Sequence, residues 1–226
     1  MKKPYIVCHM MMSVDGRIDC GMTVKIAGSD EYYETLASLD APTSLNGRVT
    51  AQLELAEPGA FVPKNAEDSF GKEGFSKIRS AAGYQVVVDT KGSLLWPDDL
   101  GSDTPLIVVM SEAAPKEYVE YLDSKHISWI ICGEKRVDLS RAAEILYGEF
   151  GVKRMAVVGG GTINAAFLDA GLLDEVSILL GPGIDGRKGM TATFDGLPTD
   201  REPVNLRLEN VKPYENGAVW LRYSLH

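Results

Sequence analysis

The chain has 226 residues, of which 45% are hydrophobic and 24% charged, so it is long enough for a buried core and has the composition of an ordinary globular protein. Its net charge of −9 excludes the basic footprint of a nucleic-acid-binding protein or of a protein held on an anionic membrane. Any anionic ligand must therefore be held by a local site.

The cysteines argue against both a disulfide framework and a metal site. Cys8, Cys20 and Cys132 are odd in number, widely spaced and without a CxxC pair. We therefore expect no metal, and we expect the protein to work in a reducing cytoplasm. The apolar run at 5–12 is too short to span a membrane and predicts a core strand.

The first half of the chain gives a mixed pattern. A strand is predicted at 4–12, a helix near 30–39, a second helix after Gly47, and a strand at 84–89, "YQVVVD". Residues 58–76 carry prolines, glycines and mixed charges. They predict a mobile surface loop, either a lid or a dimer arm.

The second half alternates regularly between strands and helices. Pro115 and Asp138 stand where helices begin, and Gly151 and Gly171 stand where helices end. Strict alternation predicts right-handed crossovers and a mainly parallel sheet. The predicted strands are 105–110, 127–132, 155–158 and 175–180, and the predicted helices are 115–125, 139–151 and 162–170, the last with Ile163, Ala166, Phe167 and Ala170 on one face.

The tail differs from this alternation. Two strand-like runs, 205–211 and 218–225, flank Asn216-Gly217, which is a strong hairpin signal. The sheet is therefore expected to end in an antiparallel pair. Because no repeat or linker divides the chain, we predict one α/β domain over residues 1–226.

Three glycines, Gly159–Gly161, follow a predicted strand and open a helix at Thr162. This placement exposes backbone N–H groups at the positive end of the helix dipole and suits an anion such as a cofactor diphosphate. The pattern is neither GxGxxG nor a P-loop. A tight strand-to-helix turn without a ligand is the alternative reading of the same residues.

The run "VVGGGTINAAFLDAGLLDEVSILLGPGIDGR" at 157–187 resembles the reductase domain of the riboflavin-biosynthesis deaminase–reductase family, the RibD C-terminal domain. The opening "MMMSVDGRI" is similar to the family's "SLDGK" signature, and "QVVVDTKGSL" is similar to its "IVVDS" strand. The resemblance covers essentially the whole chain. It implies the dihydrofolate-reductase-like fold, a homodimer, and an NADPH-dependent oxidoreductase that reduces a phosphoribosyl-aminopyrimidine at its sugar C1.

The resemblance also implies the site residues. Asp15 is the family-supported carboxylate for catalysis, although an Asp-Gly pair is also a common turn. Arg48 has the planar fork to bind a phosphate, although a solvated charge at a helix start is the alternative. Lys25 and Val158 fall at substrate positions. The cofactor is expected to contact Met12, Gly47, Arg48, Thr50, Thr90, Gly159, Gly160, Gly161, Thr162, Ile163 and Asn164.

The chain departs from the family pattern on the substrate side. Val158 stands where the family carries a Glu, Leu36 stands where it carries an Arg, and "AQLELAEPGAF" replaces the motif "DDPxLTxR". Polar groups that pair with a substrate give strong discrimination, so these changes bear on its identity. The candidates are 5-amino-6-(5-phosphoribosylamino)uracil or a close relative, a different small molecule such as a pterin, or NADP binding without catalysis.

Overall fold

The computed structural model describes residues 2–65 and 67–225 and divides them into two compact units. Unit 1 consists of residues up to Pro4 and of Pro42–Lys153, and unit 2 consists of Tyr5–Ala41 and Arg154–His226. In chain order the elements are β1 (Tyr5–Met12), α1 (Cys20–Thr23), α2 (Ser29–Ser38), β2 (Thr43–Gly47), α3 (Arg48–Glu54), β3 (Gly74–Ser76), β4 (Gln85–Val88), β5 (Leu106–Met110), α4 (Lys116–Ser124), β6 (Ser128–Ile131), α5 (Leu139–Gly148), β7 (Arg154–Val157), α6 (Gly161–Asp169), β8 (Glu175–Leu180), β9 (Arg207–Pro213) and β10 (Val219–Ser224).

Unit 1 is built on strands in the order β3-β6-β5-β4-β2. The strands β2, β4, β5 and β6 pair in parallel, and the short edge strand β3 is antiparallel to β6. All five residues of β5 are buried, as expected for an apolar strand that is covered on both faces. Trp96 and Tyr118 are large members of the core that packs beneath these strands.

Unit 2 has the strand order β7-β1-β8-β10-β9. The first three strands pair in parallel, and β10 and β9 continue the sheet in antiparallel fashion. Every residue of β9 is exposed, so this strand forms the open edge of unit 2. The mainly parallel α/β architecture and the C-terminal antiparallel pair predicted from the sequence are confirmed.

Helix ends follow the sequence signals closely. The Asp138 carboxylate accepts a hydrogen bond of 2.9 Å from the backbone N–H of Arg141 and caps α5. Pro115 is the N-cap of α4, one position before the predicted first turn. The helix α5 ends at Gly148, three residues before the predicted stop, and Gly151 follows with φ +75°.

The predicted apolar face of α6 is only partly buried. Phe167 is buried, Ile163 and Ala166 are half-buried, and Ala170 lies outside the helix and is exposed. Because one buried position of this helix is polar, the apolar pattern does not mark the whole buried face. The buried residues are Gly161, Asn164, Ala165 and Phe167.

The predicted mobile loop at 58–76 is partly structured. Its last three residues form β3, and the backbone N–H groups of Phe70 and Gly71 donate to the carbonyls of Ala114 and Glu112. Position 66 lies outside the described residues. Roles as a lid or a dimer arm stay predictions.

The single-domain assignment also stays a prediction beside the two units. Within 2–65 and 67–225, no helix is long and apolar enough to cross a membrane.

Candidate functional site

Both units place loops at the carboxyl ends of parallel strands, which is where open α/β sheets bind ligands. In unit 1 these loops follow β2 and β4. In unit 2 they follow β1, β7 and β8. The sequence-predicted site residues lie almost entirely on these loops and on the helices that begin there.

Unit 1 has a cavity of about 480 Å³ at the carboxyl end of β4. Arg48, the exposed first residue of α3, faces it together with the exposed Lys91. Thr90 adds a hydroxyl group to the same wall, and Asp89 and Ser93 also line it. Two cations and the Thr90 hydroxyl around one cavity suit a phosphate group. Arg48 and Thr90, both predicted to contact the cofactor, line the same cavity, and their contact with it stays a prediction.

The loop that carries Thr90 and Lys91 is held by a buried carboxylate. Asp89 is fully buried and accepts hydrogen bonds from the backbone N–H groups of Ser93 (2.6 Å) and Leu94 (2.9 Å). The Ser93 hydroxyl donates to the same carboxylate at 3.1 Å. The shape of the loop is therefore set before any ligand arrives.

Gly47 and Thr50 lie in the same region of unit 1. Gly47 is the N-cap of α3, with an extended backbone, and Thr50 is half-buried in the first turn. The cavity is lined by other residues, so contact of Gly47 or Thr50 with the cofactor stays a prediction.

In unit 2 the glycine turn connects β7 to α6 as predicted. Gly159 has φ +122°, a conformation that favours glycine, and Gly160 is the N-cap of α6. Among the described residues no side chain caps this helix start, but the N–H of Ile163 donates to the carbonyl of Gly160 at 3.1 Å, so an anion here would be held by the N–H groups of Gly161 and Thr162. Thr162 is exposed and Ile163 half-buried at this helix start.

Asn164 differs from the other residues of this turn because its side chain points into the protein. It is fully buried, and its Nδ2 donates to the carbonyl of Thr193 at 2.8 Å. Its Oδ1 is buried without a hydrogen-bond partner among the described residues. The side-chain amide of Asn164 therefore anchors the segment that carries Thr193, and contact of Asn164 with the diphosphate stays a prediction.

Asp15 lies just after β1, in the turn that follows Met12. Its carboxylate accepts hydrogen bonds from the Ser13 hydroxyl (2.6 Å) and from the backbone N–H groups of Asp185 and Gly186 (2.9 Å each). These donors, led by Ser13, hold the pKa of Asp15 far below its usual range. These hydrogen bonds give Asp15 a structural role in the turn, and its catalytic role stays a prediction.

The remaining predicted residues lie at the same edge of unit 2. Met12 is half-buried, and the Thr193 hydroxyl lies 3.2 Å from its sulfur. Val158 is half-buried directly after β7, and Lys25 is exposed after α1. Lys25 and Val158 therefore stay candidates for substrate contact.

Sequence reasoning missed several residues of these sites. The turn letters of "DTKGS" could have indicated that Asp89 folds the loop back onto Ser93, because Asp and Ser side chains bond to nearby backbone N–H groups. No local signal could have paired Thr193 with Met12, which is 181 positions earlier.

Comparison with known proteins decides the family. The chain matches the RibD C-terminal domain over residues 4–220. This protein belongs to that family. Reductases named 2,5-diamino-6-ribosylamino-4(3H)-pyrimidinone 5′-phosphate reductase are similar to it along their whole length. The one from Archaeoglobus fulgidus is 28% identical over 98% of this chain and 99% of its own. The one from Methanothermobacter thermautotrophicus is 26% identical over 95% and 94%.

A solved structure agrees with this RibD C-terminal domain assignment at the level of the fold. A pyrimidine reductase-like protein from Corynebacterium diphtheriae superposes with a TM-score of 0.72 at 18% identity, over 98% of this chain and 91% of its own. The predictions of the family, of the dihydrofolate-reductase-like fold and of an oxidoreductase are confirmed.

Proposed function

We propose that this RibD C-terminal domain protein is an NADPH-dependent reductase of riboflavin biosynthesis that reduces 2,5-diamino-6-ribosylamino-4(3H)-pyrimidinone 5′-phosphate at its sugar C1. The curated relatives that match nearly its whole length carry this name. The uracil compound expected from the sequence shares the ribosylamino phosphate and differs in the pyrimidine ring. We therefore prefer the diamino compound and keep the uracil compound as an arm of the test.

The chain contributes binding and orientation to this reaction. Bound NADPH would supply the hydride. The open N–H groups at the start of α6, after Gly159 and Gly160, would hold the diphosphate. Met12, at the end of β1, would lie on the nicotinamide side, and Lys25 and Val158 would face the substrate. Since the cofactor carries the chemistry, the protein's task is to place it against the substrate.

The single observation that carries the choice of NADPH is the cavity of unit 1. NADPH differs from NADH by a 2′-phosphate, and a phosphate is matched by a guanidinium, an ammonium and hydroxyls. Arg48, Lys91 and Thr90 supply these groups around one cavity, while the Asp89 carboxylate that also lines it accepts from Ser93 and from the N–H of Leu94. We therefore assign the 2′-phosphate to this cavity.

The test compares NADPH and NADH oxidation with the diaminopyrimidinone phosphate, using wild type, Lys91→Gln and Lys135→Gln. Lys135 is an exposed lysine of unit 1 outside the cavity and serves as the matched control. Loss of one charge-assisted phosphate contact should lower kcat/KM for NADPH about tenfold and leave NADH unchanged. Equal kcat/KM for NADPH and NADH in wild type would contradict the assignment. An equal loss of kcat/KM for both cofactors in Lys91→Gln would contradict it as well.

The substrate arms use the uracil counterpart and dihydrofolate under the same conditions, with Gly160→Asp as the variant that should lose NADPH binding by placing an anion in the turn. Faster turnover of the uracil compound would reverse the substrate preference. Turnover of dihydrofolate alone would favour a pterin reductase. Calorimetric NADPH binding without any turnover would favour a non-catalytic NADP-binding protein.

We further propose that the protein is a homodimer that works in the cytoplasm. The exposed edge strand β9, with Leu208 and Val211 on its surface, supports association of two copies. The thiols of Cys8 and Cys132, which are buried and form no disulfide, fit a reducing compartment. Light scattering of the purified protein should give about twice the 24.6 kDa chain mass, and a monomer at micromolar concentration would contradict the dimer.

A further inference from the structure

One irregular segment of unit 2 contacts all three strand-end loops of that unit. This segment, residues 183–195, is called the strap here. It leaves the end of β8, where the carbonyl of Gly183 accepts from the N–H of Val14 at 2.8 Å. It then passes the turn after β1, where Thr193 N–H donates to Gly16. It ends beside the first turn of α6, where Asp195 N–H donates to the carbonyl of Gly161 at 3.2 Å.

The first half of the strap is fastened by Asp15. Both oxygens of this carboxylate accept strap N–H groups, one from Asp185 and one from Gly186, at 2.9 Å each. The Ser13 hydroxyl donates to the same carboxylate at 2.6 Å, while Ser13 Oγ accepts from the N–H of Arg17 at 3.1 Å. Asp15 therefore adds a side-chain link to the backbone hydrogen bonds that join the turn after β1 to the strap, and the Arg17 guanidinium adds another by donating to the carbonyl of Met190.

The second half of the strap packs against the glycine turn. A Cβ at Gly161 would lie only 2.2 Å from the carbonyl oxygen of Ala192, so the strap backbone and the helix start touch directly. Asn164 reaches across the same contact to Thr193 at 2.8 Å. Since protein interiors are close-packed, a shift of the strap must be transmitted to the first turn of α6.

We propose that Asp15 is a positioning residue that fixes the strap and, through it, the helix start that receives the cofactor diphosphate. The inference rests on the proposed function for the role of that helix start. It gives Asp15 a task different from the proton donation expected from the sequence. Asp15 acts on cofactor affinity, and the hydride-transfer step proceeds without its proton.

The charges around Asp15 agree with this task. The negative charge of Asp15 acts on the carboxylate of Asp185, and Arg187, also on the strap, donates to Asp185 and to Asp19. Donated hydrogen bonds keep the pKa of Asp15 far below neutral pH. Asp15 therefore keeps one charge state through the working range, and the pH profile of the reaction should contain no limb that belongs to it.

The test uses Asp15→Asn, which keeps the size of the side chain but replaces one carboxylate oxygen by an NH₂ group. This group cannot accept a hydrogen bond from a strap N–H. Ser13→Ala is the milder variant, since it removes one donor to Asp15 and leaves the carboxylate. Glu202→Gln, an exposed carboxylate beyond the strap, is the matched control. For wild type and each variant we measure the NADPH affinity, kcat and KM over a range of pH, and the hydrogen exchange of the unliganded protein.

In Asp15→Asn we expect KM for NADPH to rise about tenfold while kcat changes less than about threefold, with the pH profile unchanged. Hydrogen exchange should speed up in the strap and in 160–164 together. Ser13→Ala should show the same pattern more weakly, and Glu202→Gln should match wild type.

A hundredfold or larger fall in kcat with loss of one pH limb would overturn the proposal in favour of proton donation. Unchanged NADPH affinity in the folded variant would overturn it as well. Hydrogen exchange can be measured without turnover. Faster exchange at 13–17 and in the strap, without a change at 160–164, would refute the coupling between the strap and the first turn of α6. Absence of NADPH binding in wild type, with coupled exchange intact, would instead count against the proposed function.

Discussion

At the scale of single residues, Gly92 shows how the cavity of unit 1 depends on one backbone position. Gly92 has φ +66°, and a Cβ there would lie 2.3 Å from the buried ring of Tyr118. The Tyr118 hydroxyl donates to Leu94 and accepts from Trp96, so the ring is held in place. We expect Gly92→Ala to lower the free energy of unfolding by about 3 kcal/mol, from the left-handed backbone and from overpacking.

The same substitution should weaken NADPH binding, because Gly92 lies between the cavity residues Lys91 and Ser93. Urea unfolding and calorimetry give the two readouts. Gly101→Ala is the matched control in the same unit, since no described atom lies within 4 Å of its added Cβ and its φ is outside the left-handed region. A stable Gly92→Ala protein with wild-type affinity would mean that the loop adapts freely.

At the scale of elements, the sequence predicted most strands and helices because their apolar residues recur with the right period. The run at 105–110 became a fully buried strand, and Asp138 capped the helix it was expected to cap. The failures have physical causes. The helix α6 buries Asn164, a polar residue that hydrophobic periodicity cannot count. The strand β3 is three residues long, which leaves no periodicity to detect.

The candidate site was predicted where it is local and missed where it is not. The residues of the glycine turn are contiguous in sequence, so they predicted both the turn and the helix start. The cavity of unit 1 joins Arg48 to Lys91 across two loops, and only the resemblance to a family pointed to both regions. The role of Asp15 depends on strap residues 170 positions away, and local sequence contains no information about such a partner.

At the scale of the whole molecule, the buried histidine of unit 2 couples stability to pH. His9 is fully buried, and its Nδ1 lies 2.9 Å from Ser177 Oγ, which accepts from the indole of Trp220. Its Nε2 lies 3.3 Å from the carbonyl of Tyr32, so Nε2 carries the proton and Nδ1 accepts from Ser177. The ring is neutral. A second proton on Nδ1 would displace the hydrogen bond that Ser177 donates to it.

Burial lowers the pKa of His9 to about 4, against 6.5 for a free histidine, although the nearby charge of Glu175 works in the opposite direction. Below pH 6.5 the unfolded chain therefore takes up a proton that the folded protein does not. The free energy of unfolding should fall by about 3 kcal/mol between pH 6.5 and pH 4 on account of this residue. Above pH 6.5 the contribution is complete.

Urea unfolding of wild type and His9→Gln across pH 4 to 7 isolates this effect, because carboxylates such as Asp15 titrate in both proteins and cancel in the difference. Glutamine keeps a donor and an acceptor but does not titrate, so its stability should fall less steeply as the pH falls. Parallel curves for the two proteins would show that His9 takes up its proton as readily in the folded state as in the unfolded chain. In that case the interior of unit 2 would have to admit a charge beside Tyr32 without losing its packing, which the stacked rings of His9 and Tyr32, 4.8 Å apart, argue against.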